Sequence, residues 1–376
     1  MFLKQNCKHF LTDRPCFFHK KHYIICENCD FFEPIGKKFL IIKLGASGDV
    51  LRTTFLLNII KQEQNNSHIS WIVSKKSKDI LLNNPLIDEI LVLEDLIIFQ
   101  LLLKKFDVSI NIDLSSESLE IATIIKSNEK RGYVLDSNNF VLPLGNDASN
   151  WFYMSMIDNI KKKNQKTYQE LAANTSGYPF NGERIIVPIV EDEKKFALNF
   201  ALKNNLITNS SKNPIIGLNI GSGGRWNEKR WPKKHWKNLA SVLTEKGFQI
   251  ILFAGPEEKE IEKELINYSK DIVSIGTENS IPRFFALITL VDVMITGDTL
   301  ALHAALGLNK KVIALFGPTS SNEIEMYDLG KKLVVPYECQ GCYNSVCPQG
   351  RECLEVITPE MVLENARSGQ CQRYKG

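Results

Sequence analysis

Short apolar, β-branched runs alternate with helix-length amphipathic stretches through the middle of this chain, and they do so in two separate series. The first comprises 39–44 FLIIKL, 69–73 ISWIV, 90–93 ILVL and 108–113 VSINID, with helix-length segments such as 49–62 and 77–83 between them. The second comprises 215–220 IIGLNI, 249–254 QIILFA, 272–275 IVSI, 291–296 VDVMIT and 312–316 VIALF. Strands buried on both faces read as near-continuous apolar runs, so the pattern predicts an α/β chain with parallel sheets covered by helices. The alternation weakens across 127–185. A chain of 376 residues also exceeds the roughly 250 that one core usually serves. Two doubly wound sheets in tandem are therefore expected, meeting near 185–195 around Pro188 and the charged EDEKK.

Local punctuation agrees. RWPKKHWKNLASVLTEKGF carries Pro232 at a first helical turn, then Trp236, Leu239, Ala240 and Leu243 at helical spacing, and Gly247 as the stop. The chain divides into a Cys-rich cap (1–36), a first Rossmann-like domain (37–188), a second (189–335) and a Cys-rich tail with a terminal helix (336–376). With 44% apolar and 24% charged residues, the composition is that of a soluble globular protein. The longest apolar stretch, 90–103, is broken by Glu94 and Asp95 and is short of the ~20 residues a spanning helix needs. The first 35 residues show no continuous apolar core of a signal peptide, so a cytoplasmic location is expected. A formal charge of +3 is too small for charge alone to point to nucleic acid. Lysine runs such as KKKNQK at 161–166 read as solvated faces, or as a patch for an anionic substrate or membrane face.

The nine cysteines lie only at the two ends. Cys339, Cys342, Cys347 and Cys353 form C-x2-C-x4-C-x5-C, interleaved with Gly341, Pro348 and Gly350, whose turns let thiolates converge on one tetrahedral ion. Cys7, Cys16, Cys26 and Cys29 form the looser C-x8-C-x9-C-x2-C, with His9, His19 and His22 nearby, a second metal set or an irregular Cys-bearing cap. Reducing conditions disfavour structural disulfides. Structural zinc is the default ion, and iron fits the same ligands. Cys371 belongs to neither set.

Open α/β sheets bind ligands beyond the carboxyl ends of their strands, and that is where the polar motifs fall. IIKLGASGDVLRTT at 41–54 ends a strand in Gly45 and Gly48 and then places Asp49 at the start of a helix. Taken alone, Asp49 reads as a helix N-terminal acid interacting with the dipole; facing a cleft, it reads as a functional carboxylate. After 215–220 comes GSGGRWNEKRWP, where Gly221, Gly223 and Gly224 expose backbone N–H groups and Arg225, Lys229 and Arg230 supply charge for an anion such as a phosphate. After 249–254 comes GPEE, with Glu257 placed to accept ribose hydroxyls. After 291–296 comes GDTLALHAALG, with Asp298 as an N-cap and His303 five residues on, and FGPTSSNEIEMY follows the last strand.

Together IIKLGASGDVLRTT, KRWPKKHW, GDTLALHAALG, ALFGPTSS and the tail CYNSVCPQGRECLEVITPEMV resemble glycosyltransferase family 9, the heptosyltransferase-like enzymes, over roughly residues 37–366 in order. The resemblance implies a GT-B fold, two Rossmann-like domains facing across a cleft. It implies inverting transfer of a heptose or related sugar from a nucleotide-diphosphate sugar, typically ADP-heptose, to an acceptor hydroxyl, without a catalytic metal. By it, Asp49 matches the general base, Lys229 the cation on the donor phosphates, Glu257 the ribose-contacting acid, and Asp298 and Thr299 residues near the donor sugar and diphosphate. Gly221 and Gly223 fall on the donor side; Gly48, Arg52 and His303 are supporting positions. Many family members read DTG where this chain has Asp298, Thr299 and Leu300. The acceptor stays open among a lipopolysaccharide core, another glycan and a protein, as do peripheral contact with the inner membrane face and homo-oligomerisation. A nucleotide-sugar epimerase of similar build and a metal-stabilised nucleic-acid-binding module are the competing readings, the latter opposed by the near-neutral charge.

Overall fold

The computed structural model describes residues 2–94, 97–208, 214–222 and 227–371. The first apolar series folds into six strands, β1 (Lys38–Ile42), β2 (His68–Ser74), β3 (Glu89–Leu93), β4 (Lys105–Asn111), β5 (Lys126–Leu135) and β6 (Val141–Leu144). They lie in the order β3-β2-β1-β4-β5-β6, parallel except for the antiparallel pairing of β6 on β5. The second series gives β7 (Ile215–Asn219), β8 (Gln249–Phe253), β9 (Ile272–Ser274), β10 (Val293–Gly297), β11 (Lys311–Phe316) and β12 (Gly330–Val334). Their order is β12-β11-β10-β7-β8-β9, parallel throughout. In each sheet the chain reverses its direction of winding next to the first strand, between β1 and β4 and between β7 and β10. These are the positions at which a doubly wound sheet opens a crevice.

The central strands are buried on both faces because helices cover both. Phe39, Leu40, Ile41 and Ile42 of β1 are fully buried, as are Leu218 of β7 and Ile295 of β10. The expected helix over 49–62 is two helices, Ser47–Thr53 and Phe55–Glu63. At the break the Thr54 hydroxyl donates to Leu51 O at 2.7 Å, and Thr54 Oγ1 also accepts the N–H of Ile186 at 2.8 Å, tying the first domain to the segment that leads into the second. The stretch 77–83 contains only the short helix Lys78–Leu81, preceded by a 3-10 turn.

Helix Lys233–Glu245 follows the expected pattern closely, with Trp236, Leu239, Ala240 and Leu243 buried. Pro232 is its N-cap rather than a residue of the first turn, and Gly247 ends it in the left-handed region at φ 77°. The last helix, Pro359–Cys371, packs on it and on β11 and β12. Among the described residues no helix is long and apolar enough to cross a membrane.

Helix Leu300–Gly307 is buried on all sides from Ala301 to Leu306. That explains its nearly uniform apolar character, since a helix that is apolar all round has no solvent face. It packs on β10 and β11 of the second domain and on helix Ser47–Thr53 of the first, so it is one of the elements across which the two domains meet.

Candidate functional site

Helix Ser47–Thr53 follows β1 and helix Leu300–Gly307 follows β10, so their contact brings the ends of these two strands together. In the first domain Asp49 lies in the first turn of helix Ser47–Thr53, directly after β1. Arg52, one helical turn on, reaches back so that its Nη2 is 2.8 Å from Asp49 Oδ1, while Lys43 Nζ is 3.8 Å from Oδ2. Lys43 also donates to Asp113 Oδ2 at 3.3 Å, and Asp113 accepts the N–H of Leu44 at 3.1 Å, which joins the end of β1 to the end of β4. Arg52 is held from its other face by Tyr168, whose ring centroid lies 3.7 Å from the guanidinium carbon. Tyr168 is itself fixed by a 2.7 Å hydrogen bond between its hydroxyl and Thr53 Oγ1.

Asp49 is thus a carboxylate with a rigid cationic support and one open side. Its side chain is 34% exposed, whereas those of Lys43 and Arg52 are 7% and 11% exposed. Burial acts to raise its carboxyl pKa, but Arg52 and then Lys43 outweigh burial and hold it below the ordinary carboxylate value, so it is ionised at neutral pH.

In the second domain Lys229 closes the loop after β7 and Asp298 follows β10; their Nζ and Oδ2 atoms stand 3.0 Å apart. Asp298 is held below its ordinary pKa, with Lys229 overcoming the effect of burial. The expected capping role of Asp298 is not what the structure has. Thr299 occupies the N-cap of helix Leu300–Gly307, and the Asp298 carboxylate turns to Lys229 instead. An ion pair formed in a partly desolvated corner outcompetes a cap hydrogen bond worth about 1 kcal/mol. Behind this pair Asn219, at the end of β7, donates to Thr296 Oγ1 at 2.9 Å, Thr299 Oγ1 at 3.3 Å and the Gly221 carbonyl at 3.0 Å, which knits β7 to β10 at the crevice.

Glu257 is half exposed and ion-paired to Arg230 at 2.8 Å. Its neighbour Glu258 is the buried acid, accepting the N–H of Gly255 at 3.1 Å and lying 3.0 Å from where a Cβ on Gly221 would project. Gly223 and Arg225 lie outside the described residues.

His303 links the halves. It is buried, and its Cδ2 lies 3.1 Å from the position a Cβ on Gly48 would occupy, so Gly48 is the residue that allows the two helices to meet here. Burial, and then Arg52, push the imidazole down to about 4 against the opposing pull of Asp298 and Asp49; it is neutral at pH 7. One buried ring therefore senses charges from both crevices, Arg52 and Asp49 on one side, Asp298 and Lys229 on the other.

The family model "Glycosyltransferase family 9 (heptosyltransferase)" matches residues 97–351, well over half of the chain. The chain belongs to glycosyltransferase family 9. It is 27% identical over 322 residues to lipopolysaccharide heptosyltransferase 1 of Campylobacter coli, an alignment covering 79% of this chain and 90% of that protein. Its fold is similar to that of an E. coli ADP-heptose lps heptosyltransferase II, with a TM-score of 0.64 at 20% identity, covering 89% of this chain and 99% of the other. It is also similar to the iron-containing dodecameric glycosyltransferase TibC of enterotoxigenic E. coli, with a TM-score of 0.55 at 12% identity, covering 90% of this chain and 77% of the other. The fold is accordingly GT-B, and the chain is a glycosyltransferase.

The cysteines of this glycosyltransferase sit in its two terminal segments. Among the described residues no three His, Cys, Asp or Glu side chains are gathered as a bound metal would hold them. The eight described cysteines are free, and Cys371 contributes no described side chain. Even so, Cys339, Cys342, Cys347 and Cys353 all line one cavity of about 20 Å³ beneath the end of β11. Burial, and then the neighbouring Cys342, Glu228, Cys347 and Cys339, push the Cys353 thiol up to about 11. This tail also grips the segment that carries Lys229. The N–H of Cys347 donates to Glu228 Oε1 at 3.3 Å, Trp231 Nε1 donates to Ile357 O at 2.8 Å, and His235 Nε2 lies 2.8 Å from Glu355 O.

Sequence reasoning missed Lys43, Asp113, Tyr168, Asn219 and Glu258. A lysine inside an apolar strand run, as in FLIIKL, is a signal that could have marked Lys43; Tyr168 carries none.

Proposed function

We propose that this chain transfers a heptose, with inversion, from ADP-heptose or a closely related nucleotide-diphosphate sugar to a hydroxyl of a lipopolysaccharide core. The observation that carries the reading is His303, a neutral buried residue that senses Asp49 in one domain and the Lys229–Asp298 pair in the other. Their common neighbour supports an ionised acid acting opposite an anion-binding corner.

The acceptor hydroxyl approaches the open side of Asp49. As its oxygen attacks the anomeric carbon, the proton passes to the Asp49 carboxylate and the bond from that carbon to the diphosphate oxygen breaks. Negative charge then collects on the departing nucleoside diphosphate, where Lys229 and the N–H groups at the start of helix Leu300–Gly307 stabilise it. Arg52 keeps Asp49 ionised and oriented. Glu257, ion-paired to Arg230, is assigned to the donor ribose, and Gly221 to a backbone contact with the diphosphate.

The C-terminal thiols fit one structural zinc ion, or iron, the metal that TibC of enterotoxigenic E. coli contains. A cavity of about 20 Å³ is of the size one water-sized body fills, and four crowded thiols ionise together when a cation compensates them. Such an ion would cross-link Cys339, Cys342, Cys347 and Cys353 and take no part in transfer.

The test is incubation of purified protein with ADP-heptose and a heptose-deficient lipopolysaccharide core, following ADP release and acceptor mass. A heptose added in step with ADP released is the expected result. An altered sugar with donor alone would instead make the protein an epimerase.

A further inference from the structure

We propose that residues 2–36 form a zinc module of their own, in which Cys7, Cys16, Cys26 and Cys29 hold one Zn²⁺ remote from the cleft. The site stands independently of the transfer reaction above. It rests on three observations about the same short segment.

The first is that the segment has fixed structure without a core. It contains the helix Phe17–His22, the 3-10 turn Cys26–Asn28 and an isolated antiparallel bridge between Cys7 and Pro34, flanked by Lys8 N–H to Glu33 O at 2.8 Å and Ile35 N–H to Asn6 O at 2.6 Å. Yet not one of residues 2–36 is buried. A unit this small without buried side chains gains too little from apolar burial to offset the entropy of ordering it, and natural units of that kind are stapled by a metal or by disulfides.

The second is that all four thiols line a single cavity. It measures about 760 Å³ and is walled by Phe10, Phe18, Ile24, Phe31 and Phe32 together with the four cysteines, His9 and His19. Phe18 stacks on Phe31 with ring centroids 4.2 Å apart, so aromatic rings stand beside the thiols in the cavity wall. Chain order places the thiols on three pieces of backbone: Cys7 on the bridge, Cys16 as the N-cap of the helix, and Cys26 and Cys29 at the start and just past the end of the 3-10 turn. Two thiols bracketing one tight turn form half of a tetrahedral set, and the bridge and the helix start supply the other half.

The third is that the four thiols are free and half-buried, neither inert core residues nor paired with one another. They are not yet gathered on a common point. The open interior is the room through which they close: zinc binding draws the sulfurs together, each thiol releases its proton to solvent, and the aromatic walls collapse around the site. A soft-metal site is favoured over an apolar ligand because the lining carries six sulfur or imidazole donors, more than an apolar guest requires.

Full-length protein is purified without added metal, and zinc and iron are measured per chain in the wild type, in Cys26→Ser/Cys29→Ser, in Cys342→Ser/Cys347→Ser, and in the combination. The proposal expects Cys26→Ser/Cys29→Ser to lose one equivalent of zinc, with the same loss in the Cys342→Ser/Cys347→Ser background. Unchanged zinc in both backgrounds, or iron lost in its place, overturns it. A second readout needs no variant: tryptic cleavage at Lys20 and Lys21 of the wild type should accelerate at least ~10-fold on adding a zinc chelator and recover with excess zinc, because metal binding is the folding energy of such a unit. Cleavage indifferent to the chelator, or an intact mass showing disulfides in this segment, refutes the assignment.

Discussion

Replacing Asp49 with asparagine removes one negative charge and little else, and its consequences can be worked out from the contacts around it. The amide oxygen still accepts from Arg52, now 2.8 Å from Asp49 Oδ1, and Lys43 keeps Asp113 at 3.3 Å. The lost attraction falls on an Arg52 whose side chain is only 11% exposed, while the Asp49 side chain is 34% exposed. The pair therefore sits between exposed pairs worth under ~1 kcal/mol and buried ones costing ~3–5 kcal/mol to break, which places the destabilisation at about 1–2 kcal/mol. Catalysis should suffer far more, because removal of a general base costs about 10²–10⁴ in rate. Steady-state assays of ADP release at saturating donor and acceptor should show kcat reduced at least ~100-fold, with donor affinity by calorimetry nearly unchanged. The wild-type profile provides a second signature. Because Arg52 and Lys43 outweigh burial and hold the carboxyl below its ordinary value, kcat/KM should show no acid-side inflection from this group at pH 5 or above. A variant with nearly full kcat, or one that loses donor binding in parallel with turnover, would remove Asp49 from the role of base.

His303 makes a pH prediction whose sign follows from its depressed pKa of about 4. The unfolded imidazole takes up a proton below about 6.5 that the folded one refuses, so stability is full above that pH and falls by on the order of 3 kcal/mol towards pH 4; His303→Gln should flatten this part of the chemical-denaturation curve. Lys229→Met leaves Asp298 without the ammonium 3.0 Å away, and loss of a charge-assisted contact should raise the donor KM about 10- to 100-fold, read by donor titration at fixed acceptor. Gly48→Val puts a branched side chain where even a single Cβ meets His303 at 3.1 Å; overpacking of about 1–3 kcal/mol should appear as a lower melting temperature together with lower kcat.

The sheets were legible because their central strands are buried on both faces and so read as apolar runs. Strands that lack both that burial and a continuous apolar run were not. β12, Gly330–Val334, runs along a sheet edge with no residue buried, and the first half of β5, KSNEK, is exposed or half-exposed, which is why the pattern fades after residue 127. The single helix expected over 49–62 splits at Thr54 because its hydroxyl serves Leu51 within the turn and the backbone of Ile186 beyond it, and the second partner is invisible locally. Asp298 was misread for a similar reason: the residue competing for its carboxylate is Lys229, which belongs to a different strand end. Asp49, Arg52 and His303 could be picked out as positions, but their convergence depends on two helices meeting at Gly48.

That meeting point limits how the two halves can evolve or be recombined. With a glycine on one side and an imidazole on the other, the spacing between the domains is set by side-chain volume at positions 48 and 303 together. Drift at either should be matched at the other among relatives. Hybrid enzymes that join the front half of one family member to the back half of another should work best when these two positions come from the same parent.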